Sequence, residues 1–299
     1  MKNKIKNRYW HKGASNVCCL NSYPNGITFS SHAVDSSNSL GLNVSQETNS
    51  YNRYALRLRD TRSYQLPVGK YFLYKTDVKA NLERHLWDLR KKGKLENSVI
   101  YFGTIADPFS AFHKRFDNTM ACLELLERYQ PARVVIQTRS PMLISALPIL
   151  KKMGDKAIAN MFIESNKEAS ISRYTPGMPT ISQRLLAIQG VRAQGVNLAV
   201  SVGPILPYGG FNRDAWDFAE LIDRYSDYVT VGSLAENTES SQKNIKNMEL
   251  ARKLELDKEF KMLRPESHKP LVKALDKICP EKLEIPIVQK TSQIEMFAA

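Results

Sequence analysis

Residues 98–108 decide the fold, and they read Ser-Val-Ile-Tyr-Phe-Gly-Thr-Ile-Ala-Asp-Pro. An apolar run that stops at a glycine and then presents a carboxylate before a proline is typical of a buried parallel strand leading into a functional loop. Four more strand-length runs follow, with helical patterns between them, at 133–138, 157–164, 197–203 and 228–232. This βα repetition predicts a barrel or a doubly wound sheet.

Polar residues stand just past the end of each predicted strand. They are Thr104 and Asp107, Arg139 and Ser140, Ser165 and Asn166, and Pro207 and Tyr208. Parallel α/β folds build their sites at the carboxyl ends of the strands. The sequence therefore predicts a functional site on this rim.

The composition is that of an ordinary globular protein with a basic surface. Of 299 residues, 42% are hydrophobic and 24% are charged, and 43 Lys and Arg against 30 Asp and Glu give a net charge of +13. Such a charge attracts polyanions, so we expect DNA or RNA among the partners. No apolar run is long enough for a membrane span, and the amino terminus lacks the apolar core of a signal peptide, so we expect a cytoplasmic protein.

The cysteines form neither a disulfide framework nor a zinc-ligand spacing. The four are the adjacent Cys18 and Cys19, then Cys122 inside a helical pattern, and the distant Cys279. The chain also lacks the G-x-x-x-x-G-K phosphate loop and the H-E-x-x-H motif, which argues against P-loop enzymes and zincins.

Three segments are predicted along the chain. Residues 1–77 form an irregular segment at the mouth of the barrel, with a short strand around 27–30 and an aromatic and basic pattern at 51–75. Residues 78–238 form the βα barrel core. Residues 239–299 form a charged helical extension, which we expect to be a cover or a partner surface.

Four rim motifs resemble those of the spore photoproduct lyase-like group of the radical SAM superfamily. Residues 103–109, Gly-Thr-Ile-Ala-Asp-Pro-Phe, are similar to the group's Gly-Thr-x-Thr-Asp-Pro-Tyr, and Thr138-Arg139-Ser140 is similar to its Thr-Lys-Ser. Residues 173–179 with Arg184-Leu185 resemble Glu-Pro-x-x-Pro followed by Arg-Leu, and residues 203–207 resemble its Pro-Ile-Pro turn. The resemblance covers residues 78 to about 232.

The resemblance implies a partial (β/α)6 TIM-like barrel that binds S-adenosylmethionine across the strand ends and carries a [4Fe-4S] cluster for radical chemistry on DNA. It places Gly103, Thr104 and Asp107 near the methionine amine and Arg139 and Ser165 around the ribose or carboxylate. Arg184 becomes a carboxylate partner, a role that suits a planar guanidinium. No catalytic residue follows from it.

The sequence departs from this group at the cluster. Three irons need the thiolates of a C-x3-C-x2-C array, and these positions would fall near Ile27, Ser31 and Val34. Tyr174 also stands where the group has a glutamate. Whether the chain is an enzyme therefore stays open.

Three hypotheses follow. The first is a radical SAM enzyme acting on nucleic acid, and the second is a cluster-less member that binds nucleic acid or a nucleoside, or serves as a partner subunit. The third is an unrelated α/β enzyme in which Asp107 acts as a general base or as a ligand for a hard cation.

Overall fold

The fold is taken from a computed structural model that describes the backbone of residues 22–23, 26–29, 32–35, 72–74, 78–103, 107–109, 113–235, 245 and 249–283. Side chains are described within these ranges from residue 78 onward, apart from residues 81, 113–116 and 249. Thr104 and the aromatic and basic pattern at 51–71 lie outside the described residues.

The described strands form one large sheet and one small one. In chain order they are β1 Ser22–Tyr23, β2 Gly26–Phe29, β3 His32–Asp35, β4 Phe72–Tyr74, β5 Val99–Phe102, β6 Arg133–Thr138, β7 Ala157–Phe162, β8 Asn197–Val202 and β9 Tyr228–Val231. The large sheet has the order β1-β2-β5-β6-β7-β8-β9, and β3 pairs with β4 separately. All neighbours from β2 to β9 in the large sheet are parallel, whereas β1 runs antiparallel to β2.

Helices separate the parallel strands, as the repetition predicts. They are α1 Val78–Lys91, α2 His113–Tyr129, α3 Leu147–Met153, α4 Glu168–Tyr174, α5 Ile181–Ala193, α6 Ala215–Tyr225, α7 Glu249–Leu256 and α8 Lys269–Ile278. A 3₁₀ turn, Pro141–Ala146, precedes α3, so the helix predicted from Met142 starts later than expected. The five predicted parallel strands and their order are confirmed, while closure into a barrel is not shown.

The two faces of the sheet differ in what covers them. The main apolar core joins alternate strand residues such as Ile100, Ile136 and Val200 to the helices. The cluster on the opposite face consists of strand residues only, within the described part of the chain: Val99, Tyr101, Val135, Ile158 and Ala199, with Tyr228 against them. The helices therefore lie on one face, which leaves the other for the interior of a half-open βα ring.

The carboxyl-terminal helices pack onto this core. Leu271 and Leu275 of α8 are buried in the main cluster. Beyond α8, the Nζ of Lys282 donates to Asp223 Oδ1 at 2.5 Å and to the carbonyl oxygen of Asp223 at 2.9 Å. The domain boundaries predicted at 77 and 238 stay predictions.

Gly103 ends the central strand in a backbone conformation that other residues avoid, and this gives a direct test. Its φ is 90°, and an added Cβ would lie 2.6 Å from the carbonyl oxygen of Gln137 and 2.7 Å from Pro108 Cδ. We expect Gly103→Ala to lower the free energy of unfolding by about 2–4 kcal/mol, because backbone strain and a backbone clash add together. Urea denaturation followed by circular dichroism measures the loss.

The matched control is Gly195→Ala. Gly195 also has a positive φ, of 70°, but no atom lies within 4 Å of the added Cβ. This variant should lose only about 1 kcal/mol. Equal losses in the two variants would show that the close approach of Gly103 to β6 does not matter.

Candidate functional site

A buried carboxylate joins the ends of the central strands. Glu164 lies two residues past β7 and is completely buried. Its Oε1 accepts from Arg139 Nε at 2.6 Å, and its Oε2 accepts from Arg184 Nη1 at 2.7 Å. Burial by itself raises the pKa of Glu164, but the charges of Arg184 and Arg139 outweigh it, so the pKa lies below its ordinary value. Glu164 is therefore ionised at neutral pH.

Arg139 connects three strand ends. Its backbone N–H, just after β6, donates to Asp107 Oδ2 at 2.7 Å. Its guanidinium lies 4.1 Å from the centre of the Phe162 ring on β7, and Nη2 reaches the carbonyl oxygen of Gly203 after β8 at 3.4 Å. Stacking on an aromatic ring and pairing with a carboxylate together hold the planar group in one orientation.

Asp107 fastens the loop after β5 to β6. Its Oδ1 accepts from Thr138 Oγ1 at 2.7 Å and from the backbone N–H of Phe109 at 3.0 Å. With the Arg139 N–H on Oδ2, three protein donors already bind this buried carboxylate. Such an arrangement suits a loop anchor, since a general base needs a lone pair that faces its substrate.

Arg184 enters the site from the first turn of α5. Thr180 caps this helix in a capping box with Gln183, and the Arg184 side chain is fully buried. Its Nε donates to the carbonyl oxygen of Pro179 and its Nη1 to that of Phe162, both at 2.9 Å. Glu164 neutralises the positive charge at this helix amino terminus, where the helix dipole opposes it. The buried Nη2 has no hydrogen-bond partner among the described residues.

Ser165 ties two strand-end loops together. Its buried hydroxyl donates to the carbonyl oxygen of Pro207 at 2.7 Å and accepts from the Lys167 N–H at 3.1 Å. Ser170 Oγ donates to the same carbonyl oxygen at 2.5 Å. The loop after β7 is thus held against the turn after β8.

A polar layer lies below this rim on the face of the sheet without helices. Gln137 and Asn160 are direct neighbours in register, and Ser201 pairs with Thr230, their hydroxyl oxygens 2.6 Å apart. Asn160 is buried, and its Oδ1 has no hydrogen-bond partner in the described part of the chain. A buried amide oxygen without a donor costs free energy, which makes this atom a candidate contact for a ligand.

The structure brings most of the predicted site residues together. Asp107, Arg139 and Arg184 are linked directly or through Glu164, Ser165 follows Glu164, and Gly103 ends the neighbouring strand β5. Thr104 lies outside the described residues. The roles assigned to these residues toward a ligand stay predictions.

Sequence reasoning missed Glu164 and Asn160. The strand pattern includes Glu164 only as the last residue of an apolar run, although an acid in that place is itself a signal of a rim position. Asn160 interrupts the apolar pattern in the middle of β7. A polar residue inside a strand buried on both faces is the signal that could have found it.

The described thiols lie away from the rim. Cys122 and Cys279 are both buried in the helix-covered core, and burial raises the pKa of the Cys279 thiol to about 11. Within the described ranges, no group of three or more His, Cys, Asp or Glu residues is placed to hold a metal ion. None of the described helices is long and apolar enough to cross a membrane.

Comparison with curated proteins finds a viral relative. Over 160 residues the chain is 28% identical to "Uncharacterized protein ORF301" of Acidianus two-tailed virus, and the match covers 53% of this chain and 50% of the relative. The chain therefore matches about half the length of this relative. No protein-family model matches the chain.

Comparison with solved structures finds spore photoproduct lyase. One variant of that enzyme matches with a TM-score of 0.53 at 15% identity, covering 73% of this chain and 68% of the enzyme. The fold is related to that of spore photoproduct lyase. Another variant, with bound AdoMet and dinucleoside spore photoproduct, matches with a TM-score of 0.48 at 16% identity over 60% of this chain and 53% of the enzyme. At these identities the likeness concerns the fold alone.

The first prediction for the rim concerns the buried carboxylate. We expect Glu164→Gln to lower the free energy of unfolding by about 3–5 kcal/mol at pH 7, because two guanidinium groups lose their buried counter-charge. The folded pKa of Glu164 is lowered, so its contribution is present above its ordinary value of 4.5 and is lost as the pH falls through the folded value. Denaturation curves between pH 7 and about pH 3 should show the wild type approaching the variant as the solution becomes acidic.

Glu124→Gln is the control for this experiment. Glu124 is exposed on α2, and a surface substitution of this kind changes stability by about 0.5 kcal/mol or less. A loss in Glu164→Gln as small as in this control, or a difference from wild type that does not narrow in acid, would contradict a stabilising buried ion pair.

Proposed function

We propose that this chain binds a nucleoside ligand of the S-adenosylmethionine type at the carboxyl-end rim, and that it does so without an iron–sulfur cluster. The observation that carries the proposal is the pair of buried polar atoms, Arg184 Nη2 and Asn160 Oδ1, that lack a partner among the described residues. Both belong to side chains held at the strand ends. Groups of this kind are tolerated where a ligand supplies the missing hydrogen bond.

The chemistry of the two atoms matches the two ends of such a ligand. A guanidinium N–H donates to a carboxylate or ribose oxygen, and an amide oxygen accepts from an exocyclic amino group. Asn160 lies two residues before Phe162, whose carbonyl oxygen binds Arg184. This separation corresponds to about 7 Å of extended strand, which a single nucleoside can bridge.

The ligand class comes from the rim motifs. Residues 103–109, Thr138-Arg139-Ser140 and Arg184-Leu185 resemble those of the spore photoproduct lyase-like group, and the related fold supports this resemblance. When bound, S-adenosylmethionine supplies radical chemistry in that group only where a cluster cleaves it. In the present chain Arg139 and Arg184 would hold its carboxylate and ribose, and Asn160 its base.

The residues present do not fit the cluster. A [4Fe-4S] cluster needs thiolates grouped around one space, whereas Cys122 and Cys279 are buried in the core and the Cys279 thiol is protonated at neutral pH. Cys18 and Cys19 are adjacent in sequence and supply at most two thiols. A binding role is therefore favoured over radical catalysis, and over a catalytic role for Asp107, which already accepts three hydrogen bonds.

Calorimetric titration of the iron-free protein tests the proposal. We expect S-adenosylmethionine and S-adenosylhomocysteine to bind with one site per chain, and adenosine to bind more weakly because it lacks the carboxylate. A chelator should change none of these affinities. The absence of heat with all three ligands at about 1 mM would overturn the proposal, and so would S-adenosylmethionine cleavage after anaerobic reconstitution with iron and sulfide.

A second prediction separates binding from stability. Asn160→Leu should raise the free energy of unfolding of the ligand-free protein by about 1 kcal/mol, because it removes a buried acceptor that has no donor. The same variant should weaken S-adenosylmethionine binding at least about 10-fold, the value of one lost hydrogen bond to a buried group. Denaturation and calorimetry on one preparation measure both effects.

Ser267→Ala provides the matched control. The Ser267 hydroxyl is also buried and unpartnered among the described residues, but it lies in the turn Pro265–His268 before α8. This variant should gain stability and keep the affinity of the wild type. Loss of stability in Asn160→Leu, or unchanged binding, would show that Asn160 does not serve the ligand.

A further inference from the structure

The carboxyl-terminal end of α1 carries a dense basic run. Residues 90–94 read Arg-Lys-Lys-Gly-Lys, four cations in five residues with no acid between them. The three lysines are exposed, whereas Arg90 donates to the carbonyl oxygen of Tyr129 at 2.7 Å and stacks on its ring. A cluster of this density is a common feature of nucleic-acid-binding surfaces.

This run lies at the edge of the sheet opposite to the candidate site. The segment from Lys94 to Ser98 leads directly into β5, and the Ala132 and Arg133 N–H groups at the start of β6 bond to the carbonyl oxygens of Leu95 and Ser98. It therefore faces the amino ends of the parallel strands. Further exposed or half-exposed lysines precede the next strand, β7, along the same edge: Lys151, Lys152 and Lys156.

An exposed tryptophan stands beside the cations. Trp87 lies one turn before the end of α1 with 52% of its surface exposed, and the Nζ of Lys91 is 5.1 Å from the centre of its ring. Arg84, Trp87 and Lys91 follow one another at helical spacing, so they share a face. An aromatic ring between cations is the arrangement on which single-stranded nucleic acids stack their bases.

Neither the helix dipole nor a membrane accounts for this surface as well. The helix dipole favours one or two cations in the last turn, but it does not account for an exposed indole. A membrane-binding helix needs an apolar face turned outward, whereas Val78, Leu82 and Leu86 of α1 are buried in the core. Trp87 is the only large apolar side chain of α1 that is strongly exposed among its described residues.

We propose that the basic end surface, formed by Arg84, Trp87, Lys91, Lys92 and Lys94, binds single-stranded nucleic acid. The lysines contact phosphates, and the indole stacks on an unpaired base. This goes beyond the proposed ligand site and does not depend on it, because the two lie at opposite ends of the strands.

Fluorescence anisotropy with a labelled thymidine oligonucleotide of about 12 nucleotides tests the surface on the full chain. Trp87→Ala should weaken binding about 5- to 100-fold, the loss of one stacked base. Replacing Lys91, Lys92 and Lys94 by glutamine should weaken binding at low salt and make the logarithmic salt slope shallower by about 2. A duplex of the same length should be insensitive to Trp87→Ala, since its bases are already stacked.

The chain offers a matched control in Trp216→Ala. Trp216 is 45% exposed on α6, where Asp217, Glu220 and Asp223 make the surroundings acidic. This variant should bind the oligonucleotide like the wild type, and all variants should keep the wild-type melting temperature and S-adenosylmethionine affinity. Equal binding by the two tryptophan variants, no binding at low salt, or a Trp87-dependent affinity for anionic vesicles that exceeds that for the oligonucleotide would overturn the proposal.

Discussion

The rim depends on one buried carboxylate shared by two arginines. Glu164 receives Arg139 from the end of β6 and Arg184 from α5, and all three side chains are almost entirely withdrawn from water. A single guanidinium in this position would be costly to bury, and two are tolerated only because the carboxylate and several carbonyl oxygens take up their N–H groups. The loops around the rim are built on this arrangement, since Asp107 binds the backbone of Arg139 and Arg184 holds the carbonyl oxygens of Phe162 and Pro179.

Much of the fold follows from local patterns. Buried parallel strands have continuous apolar runs and amphipathic helices have a period of about 3.6 residues, so β5 to β9 and the positions of their rim residues are predictable from short windows of sequence. The helix start at Thr180 is equally local, because the capping box with Gln183 is complete within a single turn.

The chemistry of the rim is less predictable, because it depends on partners distant in sequence. Glu164 and Arg139 are 25 residues apart, and Arg139 and Gly203 are 64 apart. Nothing in the neighbourhood of Arg184 indicates that its carboxylate partner lies inside the protein. The same holds for Asn160, since whether an amide in a strand finds a partner is decided by the neighbouring strands.

The long-range closure of the Glu164 group has a consequence for folding. Its members, drawn from segments that include residues 139, 164 and 184, meet only after several consecutive βα units are in place. High sequence separation makes such contacts late and slow to form. The rim therefore arises with the cooperative transition of the whole sheet, and its geometry cannot be relaxed by the fraying of a single loop.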